Sequence, residues 1–164
     1  MLLDDAVRAV ELVRSLGGPI VDVGSGGGSP GIPLALSLPE LEMTLLEAER
    51  RKCTFLERWA PPNARVVWGR AEEQEIEVYG VALAKALAPP PVAAEWCLPL
   101  VRLGGAVVLW LGRSADLDRL ERVSRQLGGG PPEERDGLVV LPKIAPTPPG
   151  FPRRSGVAKK RPLA

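Results

Sequence analysis

The chain contains no histidine. That absence removes Ser-His-Asp triads, imidazole general bases and imidazole metal ligands together. Cysteine is scarce. Cys53 and Cys97 stand far apart and form no C-x-x-C, so neither a disulfide framework nor a zinc site is indicated, and no metal is expected. Two buried thiols in a reducing compartment are the expectation. No run of about 18 uncharged apolar residues occurs, so no membrane span is expected. The opening MLLDDAVRAV carries acids early and leads into no apolar stretch, unlike a secretory leader, and points to a cytoplasmic protein. Acids are missing from Gly137 to the end, where six bases stand: Lys143, Arg153, Arg154, Lys159, Lys160 and Arg161. The other 15 of the 21 bases face all 20 acids, which leaves the body of the chain at −5. A cationic tail on an acidic body suits a polyanionic partner, and equally a solvated tail.

The 164 residues suit one domain with one real core. Glycine and proline, 18 of each, gather at punctuation points between periodic segments and so mark tight turns. Asp4 or Asp5 can cap a first helix whose stripe is Ala6, Val10, Val13 and Leu16, ended by Gly17-Gly18-Pro19. Short apolar runs at 20–23, 43–47, 65–68, 81–84, 106–111 and 138–142 read as strands. Helices are expected over 31–38, 50–60, 92–102 (stopped by Gly104-Gly105) and 115–127, with GGGPP at 128–132 as a loop. This alternation predicts βαβ units, a doubly wound and mostly parallel sheet flanked by helices, and ligands beyond the carboxyl ends of the strands.

Four motifs fall at such ends. Asp22-Val-Gly-Ser-Gly-Gly-Gly28 leaves the first strand, and its glycines let backbone turn sharply and approach a ligand. A nicotinamide dinucleotide pattern counted from Gly24 wants its third glycine where Ser29 stands, and Gly31 comes too late. Asp22, before the first glycine, is placed to orient the loop, with Gly24, Ser25, Gly26 and Gly28 around a bound cofactor. Glu47 closes the second strand, where a carboxylate can accept from both ribose hydroxyls; a plain surface acid is the alternative. Gly69-Arg-Ala-Glu-Glu73 suits adenine recognition through amides near Ala71 and the Glu72 carboxylate, or a short-helix cap. Lys85, ending the fourth strand, can hold a phosphate or polarise a base edge, or be a solvated surface lysine. In the tail, Arg153 and Arg154 can fork onto phosphates, with Lys159, Lys160 and Arg161 adding to the field, and Phe151 pins the tail or stacks on a base.

VDVGSGGGSPGIPLAL, TLLEAERRKCTFLE, GRAEE, CLPLVRLGG and TPPGFPRRSGVAKKRPL occur in this order. Together they resemble the ribosomal RNA small subunit methyltransferase G family, formerly glucose-inhibited division protein B, over nearly the whole chain. The resemblance implies a class I (Rossmann-like) S-adenosylmethionine-dependent methyltransferase fold over 1–142 and a Pro-rich basic tail, 143–164, packed on the same domain. It implies methylation of the 7-position nitrogen of a guanine in small-subunit ribosomal RNA, free or in the assembled subunit, by a monomer. Cofactor contacts at Gly24, Ser25, Gly26, Glu47, Ala71 and Glu72 are implied, with RNA or active-site contacts at Arg153, Arg154 and Lys159. From their own placement and charge, Lys85 is expected beside the transfer centre, with Arg153 catalytic, and Lys160 and Arg161 are expected on RNA. A small-molecule methyltransferase and a non-catalytic cofactor- or RNA-binding module are the rival readings.

The sequence departs from the family pattern in four places. It opens at the Leu2-Leu3-Asp4 segment, where relatives carry preceding helices; Ser29 stands where the family has an aromatic; Lys85 stands for an arginine; and the GGGPP loop is short, so that one edge strand is expected to be missing or stunted.

Overall fold

Short runs of β-branched and leucine residues, several of them bounded by glycine or proline, pair into a single sheet in the computed structural model of the chain, which describes residues 2–164. The strands are β1 (Ile20–Val23), β2 (Met43–Glu47), β3 (Ala64–Trp68), β4 (Tyr79–Lys85), β5 (Val101–Trp110), β6 (Glu133–Arg135) and β7 (Leu138–Pro142). Their order is β3-β2-β1-β4-β5-β7-β6. The first five are parallel, while β7 runs antiparallel to β5 and to β6. The chain winds outward from β1 to β3, then crosses back to β4 on the other side of β1. The β1/β4 border is therefore the switch point, where a crevice opens beyond the strand ends.

Side chains alternate across the sheet and fill two apolar layers. Ile20, Leu45, Leu83 and Val108 meet α1 (Leu2–Leu16), α2 (Gly31–Ser37) and α3 (Arg50–Trp59) on one face. Val21, Val23, Ala82 and Val107 meet α4 (Pro90–Cys97) and α5 (Leu117–Gln126) on the other. A last short helix, α6 (Val157–Lys160), lies in the tail. The α1 stripe is Ala6, Ala9, Leu12 and Val13, with Val10 and Leu16 half-buried at its margin. Asp4 and Asp5 lie inside the helix, within its first turn. Asp116 does cap α5, its Oδ1 accepting from the Arg119 amide at 2.9 Å.

The expected helix over 92–102 is divided. It ends at Cys97, Leu98–Leu100 form a 3-10 turn, and β5 has begun by Val101. Pro99 lacks the amide that would continue the helix. Gly104 and Gly105 consequently lie inside β5 and stop nothing. A Cβ on Gly105 would fall 2.4 Å from the Gly80 carbonyl, beside the register shift where β4 pairs with β5. The expected stunted edge is real: β6 has three residues, and Asp136 and Gly137, with φ of 51° and 76°, form the two-residue turn into β7.

Two of the buried charged groups, Lys143 and Asp22, belong to this frame. Lys143, grouped above with the cationic tail, is among the most buried side chains of the fold. Its Nζ donates to the carbonyls of Leu98 (2.8 Å) and Val101 (3.1 Å) and to Thr147 Oγ1 (2.8 Å). Burial pulls its pKa down, and the carboxylate of Glu77, 3.8 Å away, works against that pull. Asp22 lies on the α2 face of β1, and its Oδ2 accepts from the Gly31 amide at 3.1 Å. Burial pushes its carboxyl from the ordinary 3.8 up to about 7, the Gly31 amide opposing.

Both groups yield measurable consequences. Lys143→Met strands two buried carbonyls and should lower the unfolding free energy by roughly 2–4 kcal/mol, read as a lower urea midpoint at unchanged slope. For Asp22, the native state keeps a proton that the unfolded chain releases above its ordinary value. Its contribution is therefore full at acid pH and is lost as pH rises through about 7. Asp22→Asn should flatten that part of the profile, so that the wild-type midpoint falls relative to the variant between about pH 4 and pH 7. Parallel profiles would mean that the carboxyl is ionised in the fold.

Candidate functional site

A cleft of about 460 Å³ opens at the carboxyl ends of β1, β2 and β4. Gly24, Ser25, Gly26, Glu47, Ala71 and Glu72 border it together, although they come from three separate segments. The turn after β1 is tied to β2 through its own backbone. The amides of Gly24 and Ser25 donate to the Leu46 carbonyl at 2.8 and 3.1 Å, and Ser25 Oγ donates to the Asp22 carbonyl at 2.9 Å. Gly24 and Gly26 hold φ of 71° and 53°, which side chains with a Cβ seldom adopt. A Cβ on Gly24 would also fall 2.3 Å from Leu87 Cδ1.

Glu47 is almost fully buried. Its Oε1 accepts from the Gly26 amide at 3.0 Å and its Oε2 from the Glu49 amide at 2.7 Å. Each oxygen keeps a further lone pair for a hydroxyl donor. The carboxylate is thus fixed in direction while still able to accept. Asp22 and Gly28 do not border the cleft. Asp22 turns toward α2, as described, and Gly28 faces Ile32 and Leu56. Gly31, too late for the dinucleotide count, is nonetheless the glycine that lets a helix close on the strand. A Cβ there would fall 2.5 Å from both Asp22 Oδ2 and Leu45 Cδ2.

Ala71–Glu73 form a 3-10 turn beyond β3, with Ala71 buried. The Glu72 carboxylate, 3% exposed, accepts from the Gly156 amide at 3.0 Å, and Glu73 accepts from Ser155 Oγ at 2.7 Å. The tail is therefore clamped along this turn, and Lys159 reaches the cleft border. Arg153 does not line the cleft, in contrast to its expected catalytic place. Its Nε lies 3.0 Å from each oxygen of the buried Glu95 carboxylate, its Nη2 also bonds that carboxylate, and Nη2 donates to the Arg161 carbonyl at 2.9 Å. A buried acid on α4 demands a paired cation, and the fork of Arg153 supplies it. Arg154, Lys160 and Arg161 stay exposed, and Phe151 packs on the α4/α5 layer as a pin.

Lys85 ends β4 as expected, and its Nζ lies 2.8 Å from Asp5 Oδ2 on α1. Lys85 borders the first cleft and also a second, of about 780 Å³, walled by Asp5, Arg8, Trp110 and Arg113. Lys85, then Arg8, holds the Asp5 carboxyl below its ordinary value. Ala86, shared by both clefts, carries φ of 51°. Sequence reasoning missed Asp5, Trp110, Leu87 and Trp96 at these borders. Trp96 and Ser29 bury an indole N–H and a hydroxyl that have no partner among the described residues. The Asp136-Gly137 dipeptide was a legible hairpin signal for one wall of the second cleft; nothing in the sequence signals the Asp5–Lys85 pairing.

The family model GidB, described as rRNA small subunit methyltransferase G, matches residues 1–126. A protein named ribosomal RNA small subunit methyltransferase G from Synechococcus sp. (strain JA-2-3B'a(2-13)) is 39% identical, over 87% of this chain and 63% of its own length. One of the same name from Moorella thermoacetica is 33% identical over 99% of this chain and 76% of its own. The chain thus spans less than two-thirds of the Synechococcus relative. Among solved structures, a T. thermophilus 16S rRNA methyltransferase in complex with AdoMet and guanosine aligns with TM-score 0.65 at 18% identity, over 90% of this chain and 40% of that one. Human N-acetylserotonin methyltransferase in complex with SAM aligns with TM-score 0.66 at 9% identity, over 86% of this chain and 52% of that one. These likenesses show the class I methyltransferase fold. Since the matched stretch runs to the last residue of α5 and takes in both the glycine turn and Glu47, this chain belongs to the rRNA small subunit methyltransferase G family.

Proposed function

We propose that the chain is an S-adenosylmethionine-dependent methyltransferase acting on the 7-position nitrogen of a guanine in small-subunit ribosomal RNA. The observation that carries this reading is the cleft at the switch point, where the glycine turn and Glu47 are locked together. The residues present fit the cofactor. Glu47 keeps lone pairs for the two ribose hydroxyls, Gly24 and Gly26 leave the backbone open to close approach, and the orphaned Trp96 indole borders the same space. Ala71 and Glu72 would meet the adenine, with Glu72 held by Gly156. Asp22 and Gly28 support the turn from behind. When bound, the cofactor supplies an activated methyl group on a sulfonium leaving group.

The chain's own residues need only align the acceptor and exclude water. The guanine 7-nitrogen carries a free lone pair, so no proton must be removed before attack, and a chain without histidine lacks nothing. Arg153 serves the tail's docking; RNA phosphates fall to Arg154, Lys159, Lys160 and Arg161. The acceptor would be ribosomal RNA, free or in the small subunit, met in the cytoplasm by a monomer.

Three measurements test this. Labelled S-adenosylmethionine incubated with small subunits lacking the modification should label a guanine; no transfer by a chain that still binds S-adenosylhomocysteine would reject the reading. Glu47→Gln weakens the acceptor of charge-assisted bonds and should lower S-adenosylhomocysteine affinity by roughly tenfold or more in calorimetry. Replacing Arg154, Lys160 and Arg161 by alanine should reduce the slope of log affinity for RNA against log salt by about 2 to 3, with cofactor affinity unchanged.

A further inference from the structure

The larger cleft shares Lys85 and Ala86 with the cofactor cleft, and Asp5 borders only the larger one. Lys85 Nζ and Asp5 Oδ2 stand 2.8 Å apart, so a donor and an acceptor lie side by side, with the donor on the border shared with the cofactor cleft. The pair is held from behind. Arg8 Nη2 donates to Asp5 Oδ1 at 2.8 Å, and the Trp110 indole donates to the Asp5 carbonyl at 3.3 Å. Lys85 carries three N–H donors and spends one on Asp5; each Asp5 oxygen retains a lone pair. The depressed Asp5 pKa keeps that carboxylate ionised near neutrality.

Resting on the proposed function, we infer that Lys85 and Asp5 together read the acceptor base as guanine, Lys85 Nζ donating to the 6-oxo oxygen and Asp5 accepting from the ring N–H at position 1 and the 2-amino group. The order of groups around the base decides this. Moving away from the 7-nitrogen, guanine offers the 6-oxo acceptor, then the position-1 donor, then the 2-amino donor. The clefts offer the cofactor, then the Lys85 donor, then the Asp5 acceptor. One orientation satisfies all three and turns the 7-nitrogen toward the methyl group. Adenine presents a 6-amino donor to Lys85 and a ring acceptor to Asp5, a mismatch at both places. Trp110 supplies an apolar wall, and Arg113 borders the cleft for a phosphate.

Calorimetric titration of the chain saturated with S-adenosylhomocysteine tests the inference. GMP should bind more tightly than IMP, which lacks the 2-amino group, and IMP more tightly than AMP, with GMP and AMP separated by roughly tenfold or more. Asp5→Asn should remove most of that separation while leaving S-adenosylhomocysteine affinity and the melting temperature near wild type. Equal binding of GMP and AMP by the wild type, no binding of either at millimolar concentration, or undiminished GMP preference in Asp5→Asn overturns the inference. The nucleotide series on the wild type decides the matter even if the variant misfolds. Failure of the wild type to bind S-adenosylhomocysteine overturns the cofactor reading and this inference with it; cofactor binding without base preference overturns this inference alone.

Discussion

Three consecutive amides, those of Gly24, Ser25 and Gly26, donate to the last two residues of β2. Everything at the cleft depends on that cross-tie. It holds the turn after β1 against the end of β2, and so sets the distance between the glycine backbone and the Glu47 carboxylate. Two conditions make it possible. The turn must pass through left-handed conformations, which glycine allows at little cost. α2 must also close on β1 with no Cβ between them, which Gly31 allows. Asp22 completes the arrangement by accepting from the Gly31 amide, at the expense of burying a carboxyl whose charged form is then disfavoured.

The tail obeys the same logic of burial and pairing. As a string of cations it suggests one diffuse role, but the fold divides the charges. Lys143 is consumed by two backbone carbonyls and a hydroxyl, and Arg153 by the buried Glu95. These clasps, with Gly156 on Glu72 and Ser155 on Glu73, press the tail along the turn that would meet adenine. Of the cations left exposed, Lys159 borders the cofactor cleft. Tail docking and cofactor cleft are therefore one construction, and a change at Glu95 or Arg153 would disturb both.

Lys85 belongs to neither cleft alone. It sits at the end of a central parallel strand, buried on both faces, and its ion pair with Asp5 is the border between the two spaces. A lysine there offers a point donor where an arginine would offer a planar fork, and in the inferred base recognition the neighbouring carboxylate supplies the acceptor.

The core of the doubly wound fold was legible in the residues themselves. Strand runs such as Ile20–Val23 and Leu138–Pro142 are short, apolar and bounded by glycine or proline, and a strand end followed by GSGGG or closed by an acid announces where a ligand can sit. The stretch from Val92 to Arg102 misled because a largely apolar run suits helix and strand alike; Pro99 ended the helix, and β5 formed where β4 stood ready to pair with it. Burial and pairing across distance were beyond sequence. Whether a lysine is a tail cation or an internal clasp, and whether Asp5 meets a residue 80 positions away, depends on which elements the sheet order brings together. Local pattern fixes what each segment can become; only the closed tertiary structure assigns each charge its partner, because a charge leaves water only where another group stands ready to receive it.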